Sequence, residues 1–171
     1  TLSGINPRSK QADRAILDAL RSAGANIKTK HNKIIVEKSP LSSFEFDATD
    51  CPDLFPPLTV LAAYSKGISK IKGISRLRHK ESDRFSTLKE EFGKLGVKIE
   101  SNGDYMIIKG KIPEGGIVHS HNDHRIAMAL AIAGLGSKGD IVIEQAQSVK
   151  KSYPDFYLDY EILGGITVNN L

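Results

Sequence analysis

Hydrophobic positions along the chain follow two alternating rhythms. In residues 11–38, QADRAILDALRSAGANIKTKHNKIIVEK, Ile16, Leu17, Leu20 and Ala23 recur at helical spacing, Gly24 closes the run, and apolar residues then alternate through Ile27 and Ile34 to Val36. Spacing of three and four puts apolar side chains on one helix face, whereas a period of two suits a strand covered on one side. The segment therefore predicts a helix followed by two strands. Residues 83–110, DRFSTLKEEFGKLGVKIESNGDYMIIKG, repeat the plan: Leu88, Phe92 and Leu95 form the stripe, Gly96 stops it, and Asn102-Gly103-Asp104 makes a hairpin turn.

The two segments are in register. Gly24 and Gly96 lie 72 residues apart, and the same offset carries Ile27 to Ile99, Ile35 to Ile107, and Lys66-Gly67 to Lys138-Gly139. CPDLFPPLTVLAAYSKGISKIKG and DHRIAMALAIAGLGSKGDIVIEQ thus correspond as helix-then-strand units, and an internal duplication over about 12–80 and 84–155 is the simplest account. From Ile126 to Leu135 the pattern is apolar on nearly every face, which predicts a helix in the interior. A last helix is expected over YPDFYLDYEIL, with Phe156, Tyr160 and Leu163 at helical spacing before Gly164-Gly165, and ITVNNL reads as a final strand. The fold class is α+β, a single domain over 1–171 of repeated strand-helix-strand-helix-hairpin units around buried helices.

Composition narrows the function. With 171 residues, 40% hydrophobic content and 15 glycines, the chain can bury a sizeable core. A net charge of +4 admits nucleic acid or small anions as partners, but 6% aromatic residues and no Trp leave little to stack on bases, so small anions come first. A basic RNA-binding module is the alternative from another class. The lone Cys51 excludes an internal disulfide and a Cys-only metal site, in keeping with a reducing compartment. No run approaches the roughly 20 apolar residues of a membrane span. The start, TLSGINPRSK, has neither an apolar signal core nor an initiating Met, so the chain reads as a piece of something longer.

Three stretches carry candidate chemistry. In TDCPDLFPPL, Asp50 or Cys51 stands at the expected helix start and Asp53 in its first turn, where a carboxylate caps well without any active-site role. Arg125 of HNDHRIAMALAIAGL occupies the corresponding position of the second unit, where a cation is unfavourable unless something negative faces it; an anion site and an ion pair with Asp123 are both open. RLRHKESDR, residues 76–84, is a loop entering a helix, and Lys80 and Arg84, four apart, share a face with Glu81 one step round. It reads either as a solvated charged face or, with Lys150 and Lys151 in the matching QSVKKSYPDF, as one wall of a basic pocket. His31, His79, His119 and His121 show no ligand spacing, so surface or capping roles and no metal are expected. Neither a Walker-type phosphate loop nor a dinucleotide fingerprint is present.

PDL (52–54), KESDR (80–84), NDHRIAMALAIAGL (122–135) and KKSYPDF (150–156), in this order, resemble the C-terminal part of the 5-enolpyruvylshikimate-3-phosphate synthase family over nearly the whole chain. KESDR with NDHR is more typical of that family than of the related UDP-N-acetylglucosamine enolpyruvyl transferases, the nearest alternative. The resemblance implies an enolpyruvyl transferase fold of repeated βαβαββ units with buried parallel helices, forming one domain of a longer two-domain enzyme. It implies a cytoplasmic transferase of the shikimate pathway, on the way to chorismate and the aromatic amino acids. That enzyme joins phosphoenolpyruvate to the 5-hydroxyl of shikimate 3-phosphate and releases phosphate, with no cofactor or metal.

By the family pattern, Asp53 accepts the 5-hydroxyl proton with Lys80 beside it, and Glu81 moves the methylene proton. Arg84 and Arg125 clamp phosphoenolpyruvate, Lys151 meets its phosphate, and Asp123 and His124 orient Arg125. Position 76 is Arg where some members carry a shikimate-binding Asn. The family's N-terminal lysine, serine and arginine motifs lie outside this chain, so the missing N-terminal domain is an expected partner and the polypeptide alone is expected to be inactive.

Overall fold

The computed structural model describes residues 1–77 and 83–168. After a short strand, β1 (Leu2–Ser3), a turn of 3-10 helix leads into α1 (Ile16–Ser22), and the hairpin β2 (Asn26–Lys30) and β3 (Lys33–Glu37) follows. Next come β4 (Glu45–Asp47), α2 (Phe55–Tyr64) and β5 (Ile68–Lys72). The second series is α3 (Arg84–Lys94), the hairpin β6 (Ile99–Asn102) and β7 (Tyr105–Lys109), then β8 (Gly116–His119), α4 (His124–Gly134) and β9 (Ile141–Glu144). A last helix, α5 (Phe156–Ile162), closes the described chain.

Strands assemble into three sheets, ordered β1-β3-β2, β4-β5-β7-β6 and β8-β9. β4 runs parallel to β5 and β8 parallel to β9, with Glu45 opposite Lys70 and Gly116 opposite Ile141. Parallel neighbours need a crossover, which α2 and α4 supply. The equivalent helices α1 and α3 stop in the same way. Gly24 and Gly96 have φ of 88° and 80°, a left-handed conformation that glycine alone adopts without strain. Beyond each, an N–H reaches back five residues, Ala25 to the Leu20 carbonyl and Val97 to that of Phe92, both at 2.9 Å, satisfying carbonyls that the helix end leaves open.

The centre of the molecule is α2 against α4. Phe55, Leu58, Ala62, Ile126, Leu130 and Ala133 are all fully buried, and one apolar cluster runs through both series. The two helices lie side by side in the same direction: Asp53 before α2 bonds Arg125 in the first turn of α4, and Tyr64 at the far end of α2 donates to the Ala133 carbonyl at 2.5 Å. Their starts consequently share one end of the domain. α5 seals the flank through Phe156 and Tyr160, packed on Ala127 and Ala131.

Two sequence expectations fail at the C-terminal end. Leu163 falls after the last turn of α5 and is 72% exposed, because the Gly164-Gly165 stop turns the chain away from the core. Residues 166–168 form no strand; Ile166 and Val168 are 87% and 80% exposed, with no neighbouring strand among the described residues to supply backbone partners.

Candidate active site

Three chain entries into helices meet at this end. Cys51 leads into a 3-10 turn, Pro52–Leu54, with Pro at its first position and no side-chain cap. Asp53 is therefore not a helix cap. Its Oδ1 accepts from Arg84 Nη1 at 2.7 Å and its Oδ2 from Arg125 Nη2 at 2.9 Å, so one carboxylate bridges two guanidinium groups.

Arg84, the first residue of α3, is 1% exposed, a rare place for a guanidinium unless carboxylates surround it. Besides Asp53 it holds Asp123, through Nε to Oδ2 at 2.7 Å. Asp123, itself fully buried, is the N-cap of α4, its Oδ1 accepting the Arg125 N–H at 2.9 Å. Burial pushes the Asp123 carboxyl up, but Arg84 and the N–H groups of Arg125 and Ile126 outweigh it and hold the group below its ordinary value. Asp123 thus serves Arg125 through the backbone, while the Arg125 side chain, 31% exposed, goes to Asp53. Of the two readings open for Arg125, the ion pair with Asp123 is not among its described contacts, which form a chain: Arg125, Asp53, Arg84, Asp123.

Within this chain two cations balance two anions, and the positive ends of α3 and α4 add to them, a setting that favours a further anion. Lys151, on the 3-10 turn Ala146–Lys151, reaches the same corner: its Nζ donates to the Asn122 carbonyl at 2.6 Å. A cavity of ≈ 460 Å³ elsewhere on the surface is lined by Arg8, Arg14, Arg21 and His31, but no candidate residue faces it. Beside the cluster opens a cavity of ≈ 660 Å³ walled by Val60, Leu61, Met128 and Ile132, with Asp53 and Arg125 its only charged lining residues among those described. Its apolar wall suits hydrocarbon, so anion chemistry belongs to the charged edge.

Several expected site residues stand elsewhere. Lys80 and Glu81 lie outside the described residues. Asp83, just beyond them, has non-helical backbone angles and caps α3 by accepting the Ser86 N–H. Arg76 sits exposed on the turn Ile74–Leu77, with no side-chain hydrogen bond among the described residues. His124 opens α4, its Nδ1 buried without a hydrogen-bond partner among the described residues. His119 and His121, expected at the surface or in caps, instead gather on Glu91, a fully buried carboxylate. The signal for Glu91 was present: it falls on the apolar stripe of α3 with Leu88, Phe92 and Leu95, where a carboxylate needs a reason.

Residues 1–159 match the family model described as EPSP synthase (3-phosphoshikimate 1-carboxyvinyltransferase). The chain is 46% identical over 159 residues to the 3-phosphoshikimate 1-carboxyvinyltransferase of Clostridium novyi (strain NT), covering 92% of this chain and 37% of that protein. To the enzyme of the same name from Aeropyrum pernix it is 41% identical over 164 residues, covering 95% and 38%. In structure it is similar to EPSP synthase from Acinetobacter baumannii, with a TM-score of 0.77 and 29% identity over 97% of this chain and 41% of that one. The enolpyruvyl transferase NikO from Streptomyces tendae, at 22% identity and a TM-score of 0.70, shares the fold. The chain thus spans well under half the length of the curated relatives it matches.

Proposed function

The chain belongs to the EPSP synthase family, and from that premise we propose that it supplies the phosphoenolpyruvate-binding side of a 3-phosphoshikimate 1-carboxyvinyltransferase. The enzyme transfers the enolpyruvyl group from phosphoenolpyruvate to the 5-hydroxyl of shikimate 3-phosphate and releases phosphate. The observation that carries this reading is the Asp53 carboxylate held between Arg84 and Arg125. Two guanidinium forks already converge on a planar carboxylate of the kind phosphoenolpyruvate bears.

The residues divide the work as follows. Arg125, the more exposed of the pair, meets the substrate carboxylate first, and Arg84 beneath it fixes the angle. When the substrate takes over the guanidinium contacts, Asp53 is released to accept the proton of the 5-hydroxyl as its oxygen attacks C2. Lys80 stands beside it. Glu81 delivers a proton to the methylene carbon and removes one as the tetrahedral intermediate collapses. Lys151 meets the phosphate and protonates it as it leaves. Arg76, with its exposed side chain, faces the shikimate side. Asp123 is a positioning residue that holds both Arg84 and the start of α4.

The same reading takes residues 1–171 as one domain on a duplicated unit, supported by Asp53 and Arg125 being partners at equivalent positions 72 residues apart. It places the enzyme in the cytoplasm, in keeping with a lone, buried Cys51, and needs no metal, nucleic acid or membrane. No described helix is long and apolar enough to cross a membrane. The test is phosphate release from the two substrates, measured on the 171-residue chain and on a chimera joining it to the remaining length of the Clostridium novyi relative. The chimera turns over and the chain alone does not; a chimera that folds yet releases no phosphate refutes the proposal.

A further inference from the structure

Asp123 and Asn122 are delivered by a turn that is held partly from within, the Asp123 N–H donating to the Ser120 carbonyl at 3.0 Å and the Asn122 N–H to Ser120 Oγ at 3.2 Å. Between β8 and α4, His121 and Asn122 both take left-handed backbone conformations, with φ of 51° and 56°. Left-handed backbone is uncommon for residues with a Cβ, although His and Asn adopt it more readily than most, so contacts from outside the turn add to its hold.

Some come from the β9 side, where the Ser120 N–H donates to the Glu144 carbonyl at 3.1 Å and its hydroxyl to that of Gln145 at 3.0 Å, and the rest come from α3. Glu91 Oε2 accepts the His119 N–H at 2.9 Å, and Oε1 lies 2.7 Å from His121 Nε2. The His121 N–H in turn donates to His119 Nδ1 at 2.8 Å, which fixes His119 with Nδ1 as acceptor. Lys94 Nζ reaches both Glu91 oxygens, at 2.9 and 3.0 Å, and also Glu90 at 3.1 Å. The charged and titratable groups around Glu91 are therefore Glu90 and Lys94 from its own helix, His119 from β8 and His121 from the turn. Burial pushes its carboxyl up, but donation from His121, Lys94 and the His119 N–H prevails and holds it below the ordinary value.

A buried carboxylate costs several kcal/mol unless it is paired, and an apolar residue would pack this helix face more cheaply. Packing alone does not explain Glu91. α3 grips the same turn twice, at its start through Arg84 on Asp123 and two helical turns later through Glu91 on His119 and His121.

We propose that Glu91 is a positioning residue: by clamping His119 and His121 it sets the turn that places Asp123 under Arg84 and the Asn122 carbonyl against Lys151. Its consequence for catalysis rests on the function proposed above; its hold on the turn does not. Glu90, Glu91 and His121 also have ligand atoms close enough for a metal ion, but the Lys94 ammonium fills the space between the carboxylates, which favours a clamp.

The test replaces Glu91→Gln, which keeps shape and one acceptor, and Glu91→Leu, which removes both. On the 171-residue chain, amide hydrogen exchange at His121, Asp123 and Arg125 should quicken about tenfold in Glu91→Leu and less in Glu91→Gln. Leu130 in the middle of α4 should stay protected. In the chimera, both changes should raise the KM for phosphoenolpyruvate, by about tenfold in Glu91→Leu, with a smaller effect on kcat. Unchanged exchange in the turn overturns the clamp, and faster exchange with an unchanged KM in an active chimera overturns the positioning role. An inactive unmutated chimera combined with the expected exchange pattern counts against the function and supports the clamp.

Discussion

Replacing Arg84 with Met tests the buried cluster as a unit. The guanidinium is 1% exposed and holds Asp123, which is fully buried, so Arg84→Met takes a charged partner from a carboxylate that stays in the interior. Breaking a buried pair from one side typically costs about 3–5 kcal/mol, most of it the penalty of the abandoned charge. In a domain of this size each kcal/mol lowers Tm by roughly 2–4 °C, which puts the expected loss at about 6–20 °C. The sign of the pH dependence follows from Asp123, whose folded-state pKa is depressed. Its contribution is fully present above the unfolded carboxylate value near 4 and disappears as pH falls through the folded value. The gap between unmutated and Arg84→Met proteins should therefore be widest near neutral pH and narrow as the pH falls, because burial without Arg84 raises the Asp123 pKa and protonation then relieves the mutant. Urea unfolding across pH, with Arg84→Met, Asp123→Leu and the double variant, measures both effects. The double variant should be more stable than the sum of the single losses predicts, by at least about 1 kcal/mol. A loss under about 1 kcal/mol in Arg84→Met, independent of pH, with strict additivity in the double variant, would refute the reasoning.

Two further expectations concern the rest of the domain. Tyr64→Phe removes the hydroxyl that joins the far ends of α2 and α4 and should cost about 1 kcal/mol in urea unfolding, since the Ala133 carbonyl loses a donor. Asp53→Ala in the chimera should depress kcat far more than it raises the KM for phosphoenolpyruvate, because the arginines remain while the proton acceptor is lost; steady-state kinetics separate the two.

Much of the fold was legible because local rules agree with the packing. The stripe of Leu88, Phe92 and Leu95 ending at Gly96 needs only helical geometry and a residue tolerant of positive φ, and the structure supplies both. The described part of ITVNNL, residues 166–168, departs from expectation for the complementary reason: alternation describes a strand only when a partner strand is at hand, and these residues have none among those described.

The wiring of the candidate site was opaque in the sequence. Asp53 in a first turn looks like a cap, and nothing in its neighbours reveals that it faces Arg84 and Arg125, 31 and 72 residues away. Arg125 at a helix start signalled a missing anion correctly, but the anion was Asp53 and not the adjacent Asp123. Glu91 was hidden by the same limitation, since its partners lie 28 and 30 residues on, in a turn whose left-handed residues are not glycines.

The central claim is that Arg125 and Arg84 form the carboxylate clamp for phosphoenolpyruvate. The KM for phosphoenolpyruvate in the chimera carrying Arg125→Gln tests it most directly. Loss of a charged hydrogen bond worth about 1.5–3 kcal/mol predicts a rise of roughly 10- to 150-fold, with the KM for shikimate 3-phosphate little changed. An unchanged phosphoenolpyruvate KM in a folded, active enzyme would contradict the account.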